Sequence, residues 1–245
     1  MSDRTLFLSL ACTMLLVCGA CSNSPGRPRA GSAITPPNQI DKFDVLYSQN
    51  CAGCHGPGGK GGAAISLADP LFLAIADDAA IRRTAANGVP GTPMPAFAQS
   101  AGGLLTDKQI DALVTGVRSW ASPVTLRDAT LPSYVPRAAG NPERGATVYR
   151  TSCSSCHGVE GRGGKASSIV DGSYLALVSD QDLRMSVILG RPALGAPDWR
   201  SDIPGRPLSE QEISDVVAWL AAQRPANPGQ PYPASTMNRV TGGVQ

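Results

Sequence analysis

The stretch C51-A-G-C-H55 recurs as C153-S-S-C-H157, and these two histidines are the only two in the chain. The residue types and spacing fit one chemistry. Two thiols within a single turn can add across the two vinyl groups at a porphyrin edge, and the residue that follows brings an imidazole beneath the metal, as in the attachment signature of c-type haem. Every cysteine beyond residue 21 lies in one of the two copies. The sequence therefore predicts two covalently attached haem c groups, one held by Cys51 and Cys54 and the other by Cys153 and Cys156. His55 and His157 are the proximal iron ligands in this reading. Two other chemistries fit less well. A thioredoxin-like cysteine pair sits in a strand–helix context and needs no following histidine. A structural zinc site requires four closed ligands, here gathered across about a hundred residues.

The elements that must position these groups are written twice. The two histidines differ by 102 positions, and that offset pairs the halves without a gap for about sixty residues: Tyr47 with Tyr149, Asp69 with Asp171, Phe72 with Tyr174, Arg82 with Arg184, Gly88 with Gly190, and Phe97 with Trp199. A one-residue insertion then moves the offset to 103, so that Thr106 meets Ser209 and Ile110 meets Ile213. T106-D-K-Q109 and S209-E-Q-E212 have the form of capping boxes, in which the outer side chains satisfy free backbone N–H groups. Apolar residues at helical spacing follow each box: Ile110, Leu113, Val114 and Val117, then Ile213, Val216, Val217 and Leu220. Each half reads as helix, C-x-x-C-H, Gly-rich loop, helix, loop and C-terminal helix.

This order resembles the cytochrome c family over residues 39–121 and 140–224. The resemblance implies an all-α chain of two tandem cytochrome c-like domains, each with about three to four helices around its haem. Domains of this size bury little core of their own, and aromatic residues make up 5% of the chain. The porphyrin is then the centre of each core, and the apoprotein is expected to fold poorly. In this family the first and last helices cross closely through a glycine and an aromatic residue. The second half offers Gly145 and Trp219. The first half offers the aligned Phe43 and Gly116 in exchanged order, as close packing would demand.

The two iron sites differ. The segment G88-V-P-G-T-P-M94-P-A-F97 resembles the loop that delivers the distal methionine in cytochromes c, with Pro93 and Pro95 stiffening it around Met94. His/Met ligation raises the reduction potential. In the second half, G190-R-P-A-L-G-A196-P-D-W199 places Ala196 where Met94 maps, and alanine cannot ligate iron. An open or water-ligated site, ligation by Met185 or Met237, and ligation by Lys165 or a partner chain remain as alternatives.

Residues Leu6 to Val17 form an apolar run of signal-peptide length, and C18-G-A-C21-S resembles a bacterial lipoprotein signal in which Cys21 is acylated. An ordinary cleaved signal and an uncleaved anchor are the alternatives, and all three export the chain. The expected organisation is a signal at 1–21, a Pro/Gly-rich tether at 22–38, a domain at 39–121, a Pro-spaced linker at 122–139, a domain at 140–224 and a Pro/Gly-rich tail at 225–245. The formal net charge is +2 and 16% of residues are charged, against about 25% in ordinary globular domains. No basic patch suggests nucleic acid. The expected function is a membrane-tethered periplasmic electron carrier working between redox partner proteins, a respiratory donor and a terminal acceptor. The alternative is a haem enzyme or gas sensor that uses an open second site.

Overall fold

Asn, Asp, Ser and Thr stand before most of the helices, and their side chains accept the free N–H groups of the first turn. The computed structural model describes residues 35–124, 130–200, 203 and 206–226. The regular elements of its described residues are helices, with two isolated bridges, Ala98 to Leu105 and Arg191 to Ala196, and no named strand. Cys21, the signal, Met237 and nearly all of the expected tether and tail lie outside the described residues.

Ten α-helices are described, five in each half. The first half contains α1 (Phe43–Asn50), α2 (Ala52–His55), α3 (Pro70–Ile75), α4 (Asp78–Asn87) and α5 (Asp107–Arg118). The second repeats them as α6 (Pro142–Ser152), α7 (Ser154–His157), α8 (Gly172–Leu177), α9 (Asp180–Leu189) and α10 (Glu210–Ala221). Both expected capping boxes form, at Thr106 with Gln109 and at Ser209 with Glu212. The middle helix expected in each half is a pair. Ala76 and Val178 turn extended, and Asp77 and Ser179 then cap a fresh helix, so α3 and α8 end after six residues.

The first and last helices of each half cross at van der Waals distance, and the exchanged glycine–aromatic pairs are where they do so. A Cβ on Gly116 would lie 2.0 Å from the Phe43 ring, and one on Gly145 would lie 2.0 Å from the Asp215 carbonyl oxygen and 2.8 Å from Trp219 Cβ. An indole closes each crossing over the tyrosine of the first helix. In the second half Trp219 stacks on Tyr149 at 4.2 Å. In the first, Trp120 meets Tyr47 edge-on at 5.0 Å and Phe43 at 5.2 Å.

The halves pack on each other through an apolar seam. Leu71, Phe72, Leu73 and Ala76 belong to the same buried cluster as Met185, Ile188, Leu189 and Trp199. Residues 131–134 of the linker fasten to this seam. Tyr134 lies edge-on to Phe72 at 6.5 Å, and the Tyr134 carbonyl accepts from Gln181 Nε2 at 2.9 Å. Beneath it Arg184, 2% exposed, donates to the Ser133 carbonyl at 2.8 Å and pairs with Glu210. Glu210 in turn accepts from the Ser133 amide at 3.0 Å and hydroxyl at 2.7 Å. Burial pushes the Glu210 carboxyl up, but the Ser133 bonds and the guanidinium outweigh it and hold the group below its ordinary range.

Candidate haem-attachment sites

Each C-x-x-C-H motif is a single helical turn hung from the end of a longer helix. His55 N donates to the Cys51 carbonyl and His157 N to the Cys153 carbonyl, both at 3.0 Å. Immediately afterwards the chain reverses at Gly56 (φ 82°) and Gly158 (φ 81°), in the left-handed region that favours glycine. A Cβ on Gly56 would sit 1.8 Å from the Lys60 carbonyl oxygen, so the tight return leaves no room for a side chain. Tyr47 donates to the Gly56 carbonyl at 2.9 Å, and Tyr149 donates to the Gly158 carbonyl in the same way.

The loop that follows returns to grip the motif. Ala64 N donates to the Cys54 carbonyl at 3.0 Å, and Ala166 N to the Cys156 carbonyl at 2.9 Å. One residue further on, a backbone carbonyl accepts a hydrogen bond from each imidazole. His55 Nδ1 donates to Ile65 O at 2.8 Å and His157 Nδ1 donates to Ser167 O at 2.8 Å. With Nδ1 carrying the proton, Nε2 presents its lone pair, as a metal-ligating histidine requires. This is the fit of the donor set to haem. Each site offers an imidazole fixed in the ligating tautomer beside a pair of thiols, and no disulfide joins any of the four described cysteines. Burial pulls the His55 imidazole below its ordinary value; the Ile65 bond and Asp182 of the second half act against it. Burial, then the neighbouring Cys54, pushes the Cys51 thiol up to about 11.

The Met94 segment and its Ala196 counterpart are short loops that begin and close alike. Gly88 (φ 66°) and Gly190 (φ 59°) end α4 and α9 in the same conformation. Val89 N donates to the Met94 carbonyl and Arg191 N to the Ala196 carbonyl, each at 3.0 Å. Met94 and Ala196 therefore occupy one structural position, and a thioether is present in one loop and missing from the other. Met185 is 1% exposed in the seam between the halves, in a different cluster from Leu183. Lys165 is exposed.

Sequence reasoning missed one pair of supports. Arg118 donates to the Ala76 carbonyl at 2.6 Å, to the Leu73 carbonyl and to Asp78 at 2.7 Å. Arg224 does the same at the corresponding atoms, the Leu175 and Val178 carbonyls and Asp180. Arg224 stands three residues beyond the position aligned with Arg118, so pairing the halves residue by residue hides the equivalence.

Comparison with known proteins agrees with this duplication. The family model for cytochrome c oxidase, cbb3-type, subunit III matches residues 38–115, and the family model for cytochrome c matches residues 142–224. The chain is a tandem c-type cytochrome, two cytochrome c domains in one polypeptide, which carries two covalently bound haem c groups.

Among its relatives, the Cbb3-type cytochrome c oxidase subunit CcoP of Azospirillum sp. (strain B510) is 34% identical over 50% of this chain and 40% of its own length. The cytochrome bc1 complex cytochrome c subunit of Mycobacterium bovis is 24% identical over 71% of this chain and 60% of its own length. CcoP of Cereibacter sphaeroides is 29% identical over 72% and 58%. The chain thus spans between 40% and 60% of these relatives.

Proposed function

We propose that the protein is a dihaem electron carrier of a respiratory chain, exported and tethered to the membrane, that passes electrons from a redox donor to a terminal acceptor. The observation that supports this most is the duplicated proximal geometry, with His55 and His157 oriented alike by backbone carbonyls at 2.8 Å. The names of the relatives, subunits of a cbb3-type oxidase and of a bc1 complex, favour work inside or beside such an assembly.

In this reading residues 39–121 and 140–224 are the two domains. Cys51 and Cys54 hold one haem and Cys153 and Cys156 the other, with His55 and His157 as proximal ligands and Met94 as the distal ligand of the first. Each haem supplies a one-electron couple when bound. The chain supplies orientation: Ile65 and Ser167 fix the imidazoles, Tyr47 and Tyr149 fasten the turns behind them, and the Met94 loop is closed by the Val89 bond. Cys21 as the acylated anchor belongs to the proposal. Among the described residues no helix is long and apolar enough to cross a membrane.

A second reading, ligand binding or chemistry at the second haem, is favoured by the equivalence of Ala196 with Met94. Spectroscopy with carbon monoxide tests both. Met94→Ala is expected to abolish the weak far-red absorption band of a thioether-ligated ferric haem and to lower one of two potentials, since the ligand that raises it is gone. The second haem, when reduced, is expected to bind carbon monoxide, and Ala196→Met to close it. Two low-spin haems that both refuse carbon monoxide in the unmodified protein would overturn the open second site and leave the carrier reading standing. A purified protein without covalent haem would overturn both.

A further inference from the structure

Arg191 lies in the loop of the second half that corresponds to the Met94 loop, and its Nη2 donates to the Ala63 carbonyl of the first half at 2.8 Å. Ala63 is placed for consequence. The next residue, Ala64, donates to the Cys54 carbonyl at 3.0 Å, and the one after, Ile65, accepts the Nδ1 proton of His55 at 2.8 Å. A single hydrogen bond therefore joins the distal loop of one site to the segment that orients the proximal histidine of the other. The aligned residue of the first half is Val89, whose side chain has no donor to make such a bond.

The loop behind Arg191 lies at the surface and is closed on itself. Arg191 and Ala196 exchange backbone bonds of 3.0 and 3.1 Å, which close the turn between them. At its base Gly190 lies so close to Pro197 that a Cβ would fall 2.2 Å from the Pro197 carbonyl oxygen. The helix that leads into it, α9, is fixed to the first half through the seam containing Met185, Ile188 and Leu189. Packed in that seam, α9 passes on small displacements because interiors compress little.

We propose that Arg191 is a positioning residue that couples the two haem sites. A ligand entering the sixth position of the second haem displaces the loop 190–199, and Arg191 carries the displacement through Ala63 to the segment that holds His55. This rests on the reading of 190–199 as the open distal side. The coupling is reciprocal by linkage, so the state of the first site alters ligand affinity at the second.

Hydrogen–deuterium exchange on the full dihaem protein, reduced, with and without carbon monoxide, tests this in the peptide containing residues 63–66. Carbon monoxide is expected to change exchange there in the unmodified protein. Arg191→Ala is expected to lose that change, and Arg191→Lys, which keeps the charge and a donor but not the planar fork, to recover part of it. The potential of the first haem, followed through its Met94 band, is expected to move in Arg191→Ala. A potential that moves with no difference in exchange is electrostatics alone and overturns the positioning role. So does bound carbon monoxide that leaves residues 63–66 unchanged, or changes them equally in both proteins. If carbon monoxide does not bind at all, the open-site reading has failed. The coupling is then decided without it: equal exchange and equal first-haem potential in the unmodified protein and Arg191→Ala overturn it.

Discussion

Arg82 and Arg184 are the same residue in the two halves, and so, nearly, are their partners. Arg82 pairs with Asp107 at 3.1 Å and Asp111 at 2.7 Å, with all three side chains at least 40% exposed. Arg184 pairs with the aligned Glu210 and reaches the aligned Ser214 at 3.4 Å, but it is 2% exposed. The difference is the linker, which lays Ser133 and Tyr134 over the second copy and leaves the first in water. One ion pair has thus acquired two energetic meanings. Exposed, it is screened and contributes little. Covered, it is an anchor whose removal strands a charge. The seam that the anchor holds against the first half is what keeps two haem domains from behaving as beads on a string.

The largest test of the comparison removes a whole site. Changing Cys51 and Cys54 to Ser is expected to cost one haem by mass, and changing Cys153 and Cys156 to cost the other. Loss of both haems from either double change would show that the halves do not mature separately.

Next in size, Glu210→Ala is expected to destabilise the protein by about 3–5 kcal/mol, because it leaves the buried Arg184 without its carboxylate. Asp107→Ala, at the exposed counterpart, should barely move the melting temperature. Equal effects in denaturant titrations would mean that the linker does not set the difference.

The helix crossings differ less. Gly145→Ala sets a methyl group against the Asp215 backbone, which cannot yield, whereas Gly116→Ala meets the Phe43 side chain from Cγ outward, which a change of its first torsion can move. Both overpack, by about 1–3 kcal/mol on the usual scale, with Gly145→Ala at the upper end. Thermal melts that rank them the other way would overturn this account of the crossings.

The smallest expected effect is in pH. Asp215, aligned with Ala112 and so without a counterpart in the first half, is held at about 2 rather than 3.8, chiefly by Arg144 and against a desolvation that raises it. A carboxyl with a depressed folded-state pKa contributes stability that is complete above its unfolded value and is lost as pH falls towards its folded one. Asp215→Asn is therefore expected to flatten the stability profile between about pH 4 and pH 2. An unchanged profile would remove Asp215 from the balance.

Much of this was legible in the sequence because it is local. The attachment motifs, both capping boxes and the exchanged Phe43–Gly116 and Gly145–Trp219 pairs are all patterns within or between aligned positions. The α3–α4 and α8–α9 breaks were not read, since helix-forming residues stand on both sides of each and only the caps at Asp77 and Ser179 mark them. The Ser133–Arg184–Glu210 anchor escaped because it joins three elements far apart in the chain. Arg118 and Arg224 escaped for another reason: they reach the same atoms from positions that do not align.

The indoles over Tyr47 and Tyr149 show the same disregard for alignment. Trp120 lies beyond the last residue of its helix, whereas Trp219 lies within its own, yet both close over the first-helix tyrosine and over Gly59 or Gly161. The terminal helices are consequently not spare parts for one another. A chimera that carried α10 into the first half would bring Trp219 to the place of Gly116, into the space Phe43 fills, and would set a second indole beside the Trp120 that already covers Tyr47. The graft would have to move as a kit, with first helix, last helix and following residues together.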